Sequence, residues 1–369
     1  MRILITGSDG FIGKNLKYNL LAKGYSEIFE CDKNTPYERL ADYCEKCDYV
    51  FHLAGVNRPK NNKEYMIGNG EFTEKISSLL AKTSKAPIVF SSSTQAELDN
   101  DYGNSKRYAE KVLSEYSSLC KVPVYIFRLP NVFGKWCKPN YNSVIATFCY
   151  NAANDLPIYV DDPGKVLTLV YIDDVISDFI KCIENVNFTQ RVCYLEPSVA
   201  YKRRLGEISK LILSFKNKSD SIDIPEQSDE FTKKLYSTYI SYLSSSQLSQ
   251  SLNTHSDNRG SFTEFIRTAN SGQVSVNISK PGITKGNHWH NTKHEVFLVV
   301  QGSGIIRLRR LDQHDITEIA VDGSELKPVI IPPGYTHNIE NIGNVDMITL
   351  IWANEKYDKD DPDTYYLNV

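Results

Sequence analysis

Residues 1–13 read MRILITGSDGFIG. Arg2–Thr6 is a short apolar run, and Thr6-Gly7-Ser8-Asp9-Gly10-Phe11-Ile12-Gly13 places three glycines where a strand turns into a helix. Glycine is needed there for the tight turn, for close approach of a pyrophosphate, and for close packing of helix on strand; the helix N-terminus then faces the phosphates. The stretch predicts the start of a dinucleotide-binding fold, with Gly7, Gly10, Phe11, Ile12 and Gly13 as cofactor contacts. A ligand-free turn is the plainer alternative. With no long apolar stretch and no small-residue cleavage site, the segment reads as a first strand and not as a signal peptide.

Outward from this loop, apolar runs alternate with helical patterns. Glu27–Cys31, Tyr49–Leu53, Ile88–Ser91 and Val124–Arg128 read as strands covered on both faces. Phe11–Lys23, Glu71–Thr83, Gly103–Leu119 and Asp173–Glu184 read as helices. That order predicts an α/β, Rossmann-like doubly wound parallel sheet over 1–243, with FTKKLYSTYISYL as a last helix. Residues 244–258 are polar, lack apolar periodicity and read as a linker. Over 259–369, Gln273–Ile278, Glu295–Gln301, Gly304–Leu308, Thr317–Val321, Val329–Ile331 and Met347–Trp352 are short strands between turn residues. This predicts an all-β barrel or sandwich.

The chain's 369 residues suit about two domains, and 41% hydrophobic and 24% charged residues suit a soluble globular protein. A net charge of −3 without a basic tract or acidic tail argues against nucleic acid or an anionic membrane as partner. No apolar run approaches the roughly 20 residues of a membrane span. Cys44 and Cys47 form a lone pair without a second pair at zinc spacing, so the eight cysteines are expected to be reduced, in the cytoplasm.

Asp32 ends the second strand about twenty residues beyond the glycine loop, placed to accept from a ribose 2′-OH, which favours NAD. Lys33 follows and would pair with a 2′-phosphate, which favours NADP; both readings stand. Tyr102 and Lys106 lie four apart at a helix start, on one face. An ammonium there is expected to lower the phenol's pKa and let Tyr102 pass a proton while a hydride moves. Phe90–Thr94, FSSST, ends a strand and offers a hydroxyl for the same oxygen.

These stretches resemble the extended short-chain dehydrogenase/reductases of nucleotide-sugar metabolism over about residues 1–240. The likeness rests on TGSDGFIG, HLAG at His52–Gly55, SSS at Ser91–Ser93, YGNSK, RLPNVFG at Arg128–Gly134 and YIDDV at Tyr171–Val175. It implies Tyr102 as acid/base, Lys106 as its partner and ribose anchor, and Ser93 as third catalytic member. Leu53, Ala54, Gly55 and Arg128 would approach the cofactor and Asn131 the sugar nucleotide. Two departures stand out. Ser93 and Tyr102 are nine apart, where the family carries about two dozen residues, which leaves Ser92 or Thr94 as substitutes. The Asp-Glu pair of sugar-nucleotide dehydratases is missing at Thr94-Gln95, which favours plain ketone reduction.

The second chemical stretch is Gly286–Glu295, GNHWHNTKHE, with His337 beyond Pro332-Pro333-Gly334. His288 and His290 are two apart on a predicted strand and share a face; Glu295 is expected to open the partner strand of a hairpin, and His337 to lie on a neighbouring strand. Imidazole and carboxylate with an open position suit zinc, manganese, nickel or iron. The spacings from Gly282 to Gly302 and from Pro332 to Asn341 resemble the two motifs of the cupin barrels, over about 255–369. That likeness implies a divalent metal, zinc foremost, on His288, His290, Glu295 and His337. Metal-free sugar-nucleotide epimerases of this superfamily use a histidine base instead. Lys285-Gly286-Asn287-His288 resembles their basic stretch, which would make His288 the base and Lys285 a substrate contact. His294, His314 and His255 read as exposed.

The order of the two parts resembles bifunctional capsular-polysaccharide enzymes. The resemblance implies C3 epimerisation of a UDP-linked 4-keto-6-deoxy amino sugar in the barrel and NADPH-dependent C4 reduction in the first domain. It also implies a homodimer and a place on the route to UDP-N-acetyl-L-fucosamine. A reductase whose barrel only stabilises a dimer, and a sugar-nucleotide sensor, are the alternatives.

Overall fold

The computed structural model describes residues 1–184, 191–216, 222–360 and 362–369. The chain divides into two compact units: Met1–Leu213 with Lys234–Ser244, and Ser214–Lys233 with Ser245–Val369.

Six parallel strands build the first unit, in the order Ile28–Cys31, Ile3–Thr6, Tyr49–His52, Ile88–Ser93, Val124–Leu129, Val192–Leu195. Successive residues of Ile3–Thr6 are all fully buried, yet they serve different cores. Ile3 and Ile5 pack with Leu16, Leu20 and Phe179, whereas Leu4 packs with Leu40, Ile76, Leu80 and Leu113. A continuous apolar strand is therefore what a sheet covered on both faces requires. The expected α/β doubly wound parallel sheet followed by an all-β domain is observed.

Local chemistry places the elements that matter. The long helix Asp101–Cys120 starts at Asn100, whose side chain accepts from the Gly103 amide at 2.7 Å. It ends at Lys121, in the left-handed region at φ 58. The short connection between Ser93 and that helix is filled by one 3-10 turn, Thr94–Glu97, whose Gln95 amide donates to Ser93 Oγ at 3.2 Å. A Cβ on Gly103 would stand 2.2 Å from the Gln95 carbonyl, so only glycine lets helix and turn meet. The helix Tyr37–Lys46 went unread in the sequence because it buries only Leu40 and Cys44. Cys44 and Cys47 are core thiols, and burial pushes them up to about 12 and about 11.

The second unit is two sheets of mostly antiparallel strands. One runs Ile222–Ile224, Gly260–Thr268, Gln273–Ser279, Met347–Ala353, Glu295–Gln301, Val329–Ile331; the other runs Ile316–Asp322, Ser303–Arg310, Tyr335–Asn341, Thr284–Trp289, Tyr365–Tyr366. Phe297, Val299, Ile331 and Met347 from the first meet Ile306, Leu308 and Ile339 from the second in one core. Apolar patterning did not mark Ile222–Ile224, Gly260–Thr268 or Tyr365–Tyr366, and Thr284–Trp289 and Tyr335–Asn341 were expected only from their histidines. In Tyr335–Asn341 the buried residues are Thr336, His337, Asn338, Ile339 and Asn341, so both faces are buried, most of their side chains are polar, and no apolar alternation shows. The stretch read as a linker contains the strand Thr254–Asp257, paired antiparallel with Gly260–Thr268. Among the described residues no helix is long and apolar enough to cross a membrane.

Candidate functional site

Two sites emerge, one in each unit. In the first, Gly7 has φ +70, and a Cβ there would meet the Ala54 backbone at 2.8 Å. The glycine loop is thus pressed onto Leu53–Ala54. Thr6 Oγ1 accepts from the Leu53 and Ala54 amides, each at 3.2 Å, and its own proton goes to His52 Nδ1 at 2.7 Å. His52 Nε2 donates to Thr73 Oγ1 at 2.8 Å, because Thr73 spends its proton on the Asn69 carbonyl. Burial pulls His52 down to about 3, so the ring stays neutral and serves as a fixed link. The helix Phe11–Ala22 opens at Gly10 without a side-chain cap and with no acidic residue in its first turn, leaving its first amides free for an anion. At the next strand end, Asp32 Oδ1 accepts from the Asn34 amide at 2.8 Å and from Thr35 Oγ1 at 3.1 Å, which holds the carboxylate at the loop; Lys33 beside it is exposed.

Tyr102 and Lys106 sit one turn apart on the Asp101–Cys120 helix. Burial pushes the Tyr102 phenol up to about 12, against a hydrogen bond with Ser93. Burial also pulls Lys106 down to about 8, against the charge of Glu110. Lys106 Nζ donates to the Ser91 carbonyl at 2.9 Å and lies 4.9 Å from the Phe90 ring centre. The expected lowering of the phenol pKa by the ammonium is therefore not what this arrangement shows: desolvation prevails, and Tyr102 keeps its proton. Ser93, and not Ser92, is the hydroxyl against Tyr102, because Ser92 Oγ donates to Glu110 Oε1 at 2.5 Å.

Arg128, expected at the cofactor, also makes strong contacts within its own unit. Its guanidinium grips buried Glu110 through Nε at 3.0 Å and a terminal nitrogen at 2.7 Å, and Glu97 at 3.0 Å. Its donors thus join helix, strand and turn. Replacing Arg128 by Met strands the Glu110 carboxylate, 2% exposed. We expect a loss of about 3 kcal/mol in urea unfolding. A cofactor contact would instead weaken NADPH binding and leave stability nearly unchanged. Asn131 is exposed and donates to the Thr168 carbonyl at 3.3 Å.

Asn69 was missed in the sequence. It lies in a π-helical turn, Met66–Glu71, and is 1% exposed. Its amide donates to the Val56 carbonyl at 3.1 Å and to Ser105 Oγ at 2.9 Å, while Ser105 donates to the Tyr102 carbonyl at 2.7 Å. It ties the Leu53–Val56 loop to the Tyr102 helix from within the π-turn, a link that joins segments far apart in the chain.

The second site gathers His288, His290, Glu295 and His337, whose ligand atoms all lie within 4.8 Å of one another. Glu295 Oε2 is 3.5 Å from His290 Nε2 and 3.2 Å from His337 Nε2. These three atoms are buried and have no hydrogen-bond partner. Buried orphans of this kind, in an imidazole and carboxylate set, fit a divalent cation. His288 pairs with His337 across Thr284–Trp289 and Tyr335–Asn341, as the spacing predicted. Glu295 does not open a hairpin partner of His288: its strand belongs to the other sheet, and residues 290–294 cross between sheets. Burial pulls His288 down to about 4. A cavity of about 370 Å³ adjoins the cluster, lined by Phe262, Asn277, His288, Glu295, Phe297 and His337 among others. Lys285 lines it too, but its ammonium is spent on Asn277 Oδ1 and the Ile278 carbonyl, both at 2.8 Å, and on the Ser261 carbonyl at 3.3 Å. The ammonium, expected at the substrate, is thus engaged by the unit's own acceptors. His294 is half-buried, edge-on to Trp352 at 5.4 Å.

A doubly wound sheet with a glycine loop at its first helix and a Tyr-Lys pair beyond its fourth strand defines a nicotinamide-dinucleotide enzyme class. The chain belongs to the NAD dependent epimerase/dehydratase family, which residues 3–192 match. Residues 255–365 match the polysaccharide biosynthesis C-terminal domain. The chain is similar to capsular polysaccharide assembling protein CapF from Staphylococcus aureus, at 49% identity over 100% of both chains with a TM-score of 0.91. It is also 40% identical to UDP-2-acetamido-2,6-beta-L-arabino-hexul-4-ose reductase of Pseudomonas aeruginosa (strain PA103), over 100% of this chain and 99% of that one. MoeE5 in complex with UDP-glucose and NAD shares the fold at 18% identity, covering 58% of this chain and 82% of its own, with a TM-score of 0.52.

Proposed function

We propose that the chain is a bifunctional sugar-nucleotide enzyme of capsular polysaccharide synthesis, on the route to UDP-N-acetyl-L-fucosamine. Its second unit, a cupin, epimerises C3 of a UDP-2-acetamido-2,6-dideoxy-4-hexulose. Its first unit reduces the C4 ketone with NADPH, giving a UDP-N-acetyl-6-deoxy-talosamine. The enzyme is a homodimer acting in the cytoplasm. The observation that carries the reading is the half-buried Tyr102 hydroxyl hydrogen-bonded to Ser93, one turn from Lys106: reduction of a ketone needs a proton donor at the carbonyl oxygen, and burial raises this phenol's pKa and favours its protonated form. Full-length similarity to a named hexul-4-ose reductase supports the substrate class.

A bound reduced nicotinamide supplies the hydride. Tyr102 gives its phenolic proton to the C4 oxygen, and Ser93 Oγ holds that oxygen in line. The Lys106 ammonium favours the phenolate left behind and anchors the ribose. The amides opening the Phe11–Ala22 helix take the pyrophosphate. Lys33, exposed beside the strand end, is the candidate for a 2′-phosphate.

In the second unit the 4-ketone acidifies C3–H, because the resulting carbanion delocalises as an enolate. His288, at the cavity wall, takes that proton, and a solvent-derived proton delivered to the opposite face of the enolate inverts C3. His290, Glu295 and His337 would hold a divalent ion, zinc foremost, which would supply positive charge to the site. The mutual approach of all four residues favours a second reading, in which His288 is a fourth ligand.

The test is mass spectrometry of the 4-keto sugar nucleotide incubated with the full chain in deuterated water, with and without NADPH. Without NADPH, one solvent deuterium should enter the ketone at C3. With NADPH, the alcohol should form and carry that deuterium. An unlabelled alcohol would leave a reductase alone, and no NADPH consumption would sink the proposal.

A further inference from the structure

His290 and Glu295 end the crossing between the two sheets, and residues 291–294 alone separate them. Such a loop would let the two side chains drift apart unless something held it. The segment Pro362–Val369 does. Asp363 takes the amides of Asn291, Thr292 and Lys293 on its carboxylate at 2.9, 2.9 and 2.8 Å, with Thr292 Oγ1 at 3.2 Å. Three successive amides around one anion form a nest that fixes the backbone between them. The same residue's carbonyl lies 2.6 Å from His290 Nδ1. A carbonyl can only accept, so Nδ1 carries the proton and Nε2 is left with its lone pair, aimed at Glu295.

Reciprocal contacts seat the segment. The Lys293 ammonium, 6% exposed, donates to the Pro362 carbonyl at 2.7 Å and to Thr364 Oγ1 at 3.0 Å. Tyr365 and Tyr366 pair with Trp289 and His288, and the Tyr365 ring stacks on Trp289 at 4.7 Å. Asp363 itself sits at φ 37, a backbone region that few residues other than glycine, asparagine and aspartate enter. That conformation turns carbonyl and carboxylate to the same loop at once.

We propose that Asp363 is a positioning residue of the metal centre: its carboxylate fixes the loop between His290 and Glu295, and its carbonyl sets the tautomer and direction of the His290 ring. This rests on the reading of the His/Glu cluster as a metal site. An imidazole whose far nitrogen is held by a carbonyl binds its ion in one orientation, and losing such support weakens metal binding by roughly ten- to a hundredfold.

The experiment titrates zinc into the metal-stripped full chain in competition with a fluorescent chelator. Asp363→Ala should raise the zinc Kd by about tenfold or more with an unchanged circular dichroism spectrum. Asp363→Asn accepts the same backbone region and keeps one acceptor oxygen, so its Kd should fall between; it also carries the test if the alanine variant misfolds. Kd values within twofold of the unsubstituted chain in both variants would overturn the inference. His290→Ala separates the two failures. If it loses zinc while both Asp363 variants keep it, the inference alone fails. If the unsubstituted chain takes no zinc, the metal reading falls and the inference with it.

Discussion

Replacing Tyr102 by phenylalanine is expected to lower NADPH-dependent ketone reduction by roughly a hundred- to ten-thousandfold, the usual share of a positioned proton donor. Only the hydroxyl is removed, so the half-buried ring keeps its place 5.5 Å from Tyr65 and the helix cap at Asn100 is untouched. The Kd for NADPH should therefore change little. Deuterium entry at C3 should persist, since that step belongs to the other unit. Undiminished reduction would remove Tyr102 from the mechanism, and loss of both activities together would mean that one site performs them. The pH profile has a definite sign. The phenol stays protonated over the working range because burial holds it near 12, so it sets no limb there. Lys106 is pulled to about 8, and its charge, which favours the departing phenolate, is lost as pH rises through that value. The reduction rate should accordingly fall above about pH 8 in the unsubstituted enzyme.

The second large effect is expected at His337. The residue is 1% exposed and its Nε2 is an orphan 3.2 Å from Glu295 Oε2. His337→Ala deletes a donor outright, so zinc affinity should fall by more than the roughly hundredfold limit for losing a ligand's supporting partner. The purified variant should lose its stoichiometric ion on desalting, read by elemental analysis, and deuterium exchange at C3 should fall with it. Retention of a full equivalent of zinc would mean that the ligand set is wrong. His288→Ala, measured beside it, separates the two roles of that residue. Zinc retained with exchange lost marks a base; zinc lost marks a fourth ligand.

Several parts of both sites were legible because local chemistry writes them. The run Ile3–Ile5 announces a strand buried on two faces, and Gly7 announces a turn that presses on Ala54. His288 and His337 met as their spacings predicted. Other parts were not. Apolar alternation does not mark the strand Tyr335–Asn341, because most of its buried residues are polar. Glu295 looked like a hairpin neighbour because spacing along the chain cannot say which of two sheets a strand joins. That Arg128 holds Glu110, eighteen residues away, was not legible because nothing in its surroundings along the chain shows the pairing.

The sequence by itself determined the order of the two architectures, the phosphate loop, the Tyr102/Lys106 pair and the four residues of the His/Glu cluster. All but His337, which the resemblance of the second motif added, depend on spacing within one or two neighbouring elements, where helix and strand geometry dictates which side chains share a face. Only the tertiary structure decided which groups are already taken and which are free. It joined Arg128 to Glu110 and Lys285 to Asn277, raised the Tyr102 pKa by burial, and brought Asp363 to the His290 loop from seventy-three residues away. Desolvation and long-range hydrogen bonding set those outcomes, and both depend on which distant segments the folded chain brings into contact.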